Sequence, residues 1–267
     1  MKTYSFISGL PRSGSTLLCN VLAQNPLFHV SKSTSGCHEV LFGIRNSWDQ
    51  YPEHQLGNTQ PKDLLRVLQA AMASYHDTPK DYVIDKGRGW LSLLEMAEQI
   101  LQKRPKVIVP VRDIKEILAS FEKIWRIQAA STQHMNDRQN YIRGQSTQGR
   151  CDMLLQTEAT VGLAYIRLQD AILRGYKDCL CLVEFDDLTQ DPEQTMKKIY
   201  NFLELEYFPH NFKNIVQYTQ ENDQVHGFMD LHTIRPEILP VAHCSSEILG
   251  SDLASKYNNV EAWRNPA

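Results

Sequence analysis

The segment Gly9-Leu10-Pro11-Arg12-Ser13-Gly14-Ser15-Thr16 constrains this chain more than any other. A strand-like apolar stretch, Thr3 to Ile7, precedes it, and a helix-like stretch, Thr16 to Gln24, follows. Two glycines separated by four residues, closed by hydroxyl residues, form the pattern of a loop that wraps phosphate at a helix N-terminus. There the unpaired N–H groups and the helix dipole favour an anion. Gly14, lacking a Cβ, lets the backbone approach closely, and Ser13, Ser15 and Thr16 offer hydroxyl donors. The lysine that a nucleoside-triphosphate loop places straight after its second glycine is missing. Ser15 stands there, and Arg12 supplies a cation two residues before Gly14. The loop is expected to hold phosphate, but not the end of ATP in the usual way.

Three more apolar runs follow, Tyr82–Ile84, Lys106–Val111 and Cys179–Phe185, with helix-like sequence between them. Strands buried on both faces give continuous apolar runs, and alternating strand and helix imply a parallel sheet with right-handed crossovers. The expected fold is one α/β domain over residues 1–267. It is a three-layer, P-loop nucleotide-binding-like arrangement, with a central parallel sheet flanked by helices and a mainly helical insertion. Asp113 with Glu116 has the spacing of a capping box, and Asp191-Pro192-Glu193-Gln194 that of an N-cap, a first-turn proline and a reciprocal Gln. Leu64, Leu65, Leu68 and Met72 predict one amphipathic helix, and Met153 to Ile172 a longer one. The polar segment from Trp125 to Arg150 reads either as a lid or acceptor-binding insertion or as a solvated excursion. The tail from Asn222 has no clear periodicity and is expected to be ordered loop packed on the domain.

Lys and Arg number 28 against 31 Asp and Glu, a net charge of −3. That balance argues against nucleic-acid binding, which calls for a basic footprint; any anion site must be a local gathering of cations. No apolar run approaches the roughly 20 residues of a membrane span. Met1 to Ser5 runs directly into the first strand, so a secretion signal there would remove the loop's own strand; a cytoplasmic protein is expected. The six cysteines, Cys19, Cys37, Cys151, Cys179, Cys181 and Cys244, form no Cys-x-x-Cys pair, so neither a disulfide framework nor a metal site is expected. Cys179 and Cys181 are expected on one face of a buried strand.

Two other strand ends carry cations. Arg112 follows Val107 to Val111, with Ser120 two helical turns on; Lys86 follows Tyr82 to Asp85, with Arg88 two residues later. Ligands of open parallel sheets collect at the strands' carboxyl ends. Neighbouring strands would therefore bring Arg12, Lys86 and Arg112 to one edge, as a multiply charged nucleotide requires.

These residues resemble one family, the sulfotransferases that use 3′-phosphoadenosine 5′-phosphosulfate (PAPS). The likeness rests on Pro11 to Thr16, Asp85-Lys86, Val111-Arg112-Asp113 with Ser120, and Phe185-Asp186-Asp187-Leu188 followed by Asp191-Pro192, in family order as far as about Leu205. With arginine at position 12, the loop is similar to the bacterial, carbohydrate and protein-tyrosine branches. The resemblance implies that Arg12, Ser13, Gly14, Ser15 and Thr16 hold the 5′-phosphosulfate, and that Arg112 and Ser120 hold the 3′-phosphate. Arg12 and Lys86 would lean on the sulfuryl group and bridging oxygen, with no metal. The protein-tyrosine branch has a glutamate after the first helix; Val30 to Thr34 has none, so Glu39, and after it His38, are the candidate acceptor bases, each equally suited to starting a helix. The family's glycine-rich segment near the C-terminus has no counterpart, and Arg235 is expected to replace part of it. The acceptor would be a hydroxyl or amine of a sugar, lipid, small molecule or tyrosine.

Two rivals remain at this level. A P-loop kinase would use Asp85 as its Mg²⁺ carboxylate and Arg12 for the missing lysine; a non-catalytic nucleotide-binding module would keep the loop without turnover. Sulfuryl transfer predicts that adenosine 3′,5′-bisphosphate binds more tightly than ADP in calorimetric titrations without Mg²⁺. Mg²⁺-dependent preference for ADP or ATP would select the kinase instead.

Overall fold

The computed structural model describes residues 2–57, 60–128, 143–226 and 230–264. Five parallel strands form one sheet in the order β2-β3-β1-β4-β5: β1 Thr3–Ile7, β2 Phe28–Val30, β3 Tyr82–Lys86, β4 Val107–Val111 and β5 Leu180–Glu184. The strand order reverses direction at β1, with β3 on one side and β4 on the other. This is the switch point where open parallel sheets leave a crevice at their carboxyl ends, and the Gly9–Thr16 loop leaves β1 there.

Alternation along the strands divides the core in two. Tyr4, Phe6, Val83, Val107, Val109 and Val111 join the cluster containing Trp90, Leu94, Ile117, Leu118, Val161 and Leu168. Ile7, Ile84, Ile108, Cys181 and Val183 join the cluster of Leu18, Leu22, Leu188, Met196 and Ile199. The first is covered by the helices Cys37–Gln50, Pro61–Tyr75, Leu94–Leu101, Ile114–Gln128 and Thr160–Leu173. The second is covered by Ser15–Leu22, Phe185–Gln190 and Pro192–Leu203. This is the expected three-layer α/β arrangement.

Four local expectations need correction. The edge strand β2 was not predicted: Phe28-His29-Val30 is three residues long with a histidine in the middle, too short for a pattern, and pairing with Tyr82 to Ile84 makes it a strand. The long helix over Met153 to Ile172 is two helices, Thr147–Leu154 and Thr160–Leu173. The turn between them brings the Leu155 and Gln156 carbonyls so near Gly162 that a Cβ there would lie within 2.4 Å of both, so only glycine fits. Cys179 belongs to a 3-10 turn, and it lies in the first core cluster while Cys181 lies in the second, so they do not share a face. The capping box at Asp113 is replaced by contacts from the tail. Glu261 accepts the Ile114 N–H at 3.0 Å, Arg264 pairs with Asp113 at 2.6 Å, and the Glu116 carboxylate accepts the N–H groups of Cys244 and Ser245 at 3.0 and 3.2 Å. The helix Pro192–Leu203 does start on Asp191, whose side chain accepts the Gln194 N–H.

Of the polar segment 125–150, residues 129–142 lie outside the described residues. Its flanks are joined by Glu122, which meets Arg126 and Arg150 at 2.7 Å, while Arg150 also stacks on Trp125 at 3.7 Å. The tail is ordered over its described length, and it contains short helices at Ser245–Leu249 and Ser251–Ser255.

Glu116 is nearly fully buried. Burial opposes its charge, but bonds from Ser245 and Cys244 outweigh that and hold its pKa below the ordinary 4.5. A carboxylate with a depressed folded pKa contributes stability above its unfolded pKa and loses it as pH falls through the folded value. Glu116→Gln should therefore lower stability at pH 7 by about 1–3 kcal/mol. In thermal melts followed by circular dichroism, the gap from the native chain should close below about pH 4.5.

Candidate active site

The loop owes its shape to β4. The Ser8 and Leu10 N–H groups donate to the Ile108 and Pro110 carbonyls, extending β1 along its neighbour. Gly9 lies so close that a Cβ would come 2.3 Å from the Pro110 oxygen, so only glycine fits. Arg12 then adopts φ 57°, and Gly14 φ 87° beneath the Phe185 ring. The helix Ser15–Leu22 starts directly on Gly14 with no side-chain cap, which leaves its first N–H groups for a ligand. Ser13 departs from expectation. Its hydroxyl is fully buried, 2.9 Å from the Pro110 oxygen and 2.5 Å from that of Leu10, so it pins the loop and turns away from the crevice.

Arg12, Gly14, Ser15, Thr16, Lys86, Arg112, Ser120 and Arg235 all line one cavity of about 540 Å³ over the strands' carboxyl ends. Arg12 Nε donates to Ser120 Oγ at 3.2 Å and its NH1 to the Leu231 carbonyl, while Arg112 donates to the Arg12 carbonyl at 3.3 Å. Burial first, and then the charge of Arg112, lower the Arg12 pKa; burial likewise lowers that of Arg112, which stacks on Phe185 at 4.3 Å. Arg112 Nε is buried with no hydrogen-bond partner. Two desolvated guanidiniums with an unused donor suit an anion of more than one charge. Phe121, Ile124, Leu239 and Val241 add an apolar wall that could seat an aromatic base.

Lys86 ends β3 with its side chain 8% exposed. Its Nζ lies 3.4 Å from Thr16 Oγ1 and 2.5 Å from Glu221 Oε1. The same Glu221 oxygen accepts the Thr34 N–H at 2.9 Å. Burial works against the Glu221 charge, but Lys86 and the Thr34 N–H outweigh it and lower its pKa. Glu221 thus brings a carboxylate to the Val30–Thr34 stretch that has none of its own. No sequence signal pointed to it, because it is joined to Lys86 across 135 residues of chain.

Asp85 points the other way. It is fully buried, accepts the Trp90 Nε1–H at 2.7 Å and lies 3.1 Å from His76 Nε2. Burial opposes its charge, but the His76, Trp90 and Ser35 bonds win and lower its pKa. The kinase alternative, which needs Asp85 on a magnesium ion beside the phosphates, gains no support from a side chain buried against Trp90 and His76.

The candidate bases occupy a different place from the cations. His38 and Glu39 line a second cavity of about 400 Å³, which shares Thr34, Arg88 and Thr160 with the first. His38 packs under Gly87 and Gly89, its Nε2 3.3 Å from Glu39, and burial lowers its pKa. The Glu39 side chain is 70% exposed.

A family model described as "Sulfotransferase family" matches residues 5–209. Among solved structures, the sulfotransferase domain of the Synechococcus PCC 7002 olefin synthase aligns with TM-score 0.45 and 18% identity, over 96% of this chain and 94% of that one. A sulfotransferase from Alicyclobacillus acidocaldarius aligns with TM-score 0.49 and 13% identity, over 99% of each chain. Retinol dehydratase in complex with androsterone and the inactive cofactor PAP aligns with TM-score 0.50 and 12% identity, over 99% of this chain and 80% of that one. No curated protein matches.

The Arg112 geometry makes a selective expectation. Arg112→Ala should weaken adenosine 3′,5′-bisphosphate by about 10–100-fold, the scale of a lost charge-assisted bond, and adenosine 5′-phosphate by no more than about twofold. Titration calorimetry with both nucleotides checks it, and equal losses would take Arg112 away from the 3′-phosphate.

Proposed function

Because this chain belongs to the sulfotransferase family, we propose that the crevice holds PAPS across Arg12 to Thr16 and Arg112, and that Lys86 assists transfer of its sulfuryl group to an acceptor hydroxyl. The observation that carries this is the meeting of Arg12, Lys86 and Arg112, from three different strand ends, on one cavity wall.

The N–H groups that open the helix Ser15–Leu22, with the Ser15 and Thr16 hydroxyls, face the 5′-phosphosulfate; Ser13 contributes its backbone alone. Among the described residues the Arg12 guanidinium donates to two neutral oxygens, Ser120 Oγ and the Leu231 carbonyl, and a phosphosulfate is the stronger acceptor. Arg112, with its unused Nε, and Ser120 take the 3′-phosphate, and Arg235 adds charge at the exposed rim. In the transfer the acceptor oxygen bonds to sulfur as the bond from sulfur to the bridging phosphate oxygen breaks. The departing bisphosphate keeps the electron pair. Charge grows on the bridging oxygen, and Lys86, fixed by Glu221 and Thr16, stabilises it there more than in the ground state.

The acceptor's proton goes to Glu39, whose exposed carboxylate lines the adjoining cavity with His38 Nε2 behind it at 3.3 Å. Sugar, lipid, small-molecule and tyrosine hydroxyls, and amines, are the acceptor classes to test. No helix among the described residues is long and apolar enough to cross a membrane. A cytoplasmic site of action is supported by six cysteines that are all free thiols.

Incubation with radiolabelled PAPS and fractionated cell extract should give a labelled, transferable product without added metal. Lys86→Ala should leave bisphosphate affinity within about threefold while lowering transfer by about 10²–10³-fold, the effect of removing one transition-state donor. Label transfer that requires Mg²⁺ and ATP, or that ignores Lys86, would refute the proposal.

A further inference from the structure

Beyond Lys86 the chain passes through Gly87 into the 3-10 turn Arg88–Ser92, and Arg88 there lines both the donor cavity and the second cavity. The second cavity is also lined by Arg167, from the helix Thr160–Leu173, which is not among the residues lining the donor cavity. Elsewhere in the fold Arg104, Arg126, Arg150, Arg174 and Arg264 each meet a carboxylate. Among the described residues, neither Arg88 nor Arg167 has a hydrogen-bond or ion-pair acceptor. Burial, and then the charge of Arg167, pull the Arg88 pKa down. The charge of Glu221, which is already paired with Lys86, acts in the opposite direction and less strongly. Two cations are thus held near each other, partly out of water, and among the described residues neither is paired with a carboxylate.

The acids of the same cavity do not remove this surplus. Glu39 is turned to solvent with His38 as its partner, and Glu158 is exposed; neither pairs with an arginine. The helices Cys37–Gln50 and Thr160–Leu173 both begin at this cavity, at Gly36 and Thr160, without side-chain caps, and their dipoles add to its preference for negative charge.

Resting on the sulfuryl-transfer reading, we propose that the acceptor carries an oxyanion, a carboxylate or a sulfate or phosphate ester, near the hydroxyl that is modified, and that Arg88 and Arg167 hold it. Paired guanidiniums fit the planar or tetrahedral oxygens of such groups. A neutral acceptor would leave both cations uncompensated beside the reacting hydroxyl, so the site selects acidic substrates over their neutral parents.

The test uses the full chain saturated with adenosine 3′,5′-bisphosphate, titrated calorimetrically with acetate, methyl sulfate and methyl phosphate. At least one should bind with one site per chain, and the tightest of the three identifies the oxyanion. Arg167→Gln should weaken that ion by about tenfold or more and leave bisphosphate affinity within about twofold. Arg167→Lys should recover part of the loss, which a folding defect would not do. No binding of any of the three, or binding indifferent to Arg167 (as for an ion settling on the Gly9–Thr16 loop), overturns the inference. Failure to take up the bisphosphate shows before any small anion is added; it removes the sulfotransferase reading itself and the inference with it.

Discussion

The repulsion between Arg12 and Arg112 is the constraint around which the crevice is organised. Both guanidiniums are drawn out of water, and each lowers its pKa as a result. Glu116, Asp186 and Asp113 around Arg112, and Asp223 near Arg12, offset part of that cost, but among the described residues neither guanidinium forms an ion pair. The arrangement persists because the backbone imposes it. Gly9 locks β1 against β4, Ser13 fastens the loop to Pro110, and the left-handed turn at Arg12 aims its side chain toward Ser120. The free energy spent in desolvating these cations favours an anion that can meet both.

The third cation of the crevice is handled differently. Lys86 is buried like the arginines but has a partner, Glu221, delivered by the tail after it crosses the loop helix. Asn20, on that helix, binds the tail at Tyr218 and Thr219, fixing the approach of Glu221 to within a few residues. The same tail then supplies the Leu231 carbonyl to Arg12 and the backbone N–H groups that Glu116 accepts. The C-terminal segment, featureless by periodicity, therefore closes the crevice and sets the geometry of both cation groups.

Much of this was legible in the residues. The loop, the parallel α/β fold and the cations at Lys86 and Arg112 all rest on local features: a glycine spacing, short apolar runs, a charge directly after each run. Such features survive in a single sequence because the physics that produces them acts over a few residues. The misses share the opposite property. β2 is a strand only through its neighbour, the break before Thr160 depends on a close approach at Gly162, and the Ser13 hydroxyl turns inward because Pro110, far along the chain, is there to receive it. The direction of Asp85, which leaves the kinase reading without support, was implicit in the alternation of a strand whose two neighbours had first to be known.

The sequence by itself determined that this chain would build a phosphate-binding turn between a strand and a helix, and that cations would follow two other strands. Backbone stereochemistry and local apolar pattern suffice for that. Only the tertiary structure decided which charges are neutralised and which are left for ligands. Glu221 reaches Lys86 and Glu122 reaches Arg150, whereas among the described residues Arg112 Nε and the Arg88 and Arg167 side chains meet no hydrogen-bond acceptor. Electrostatic pairing is settled by distance in space, and residues far apart in the chain acquire that distance only when the sheet and the tail have closed around them.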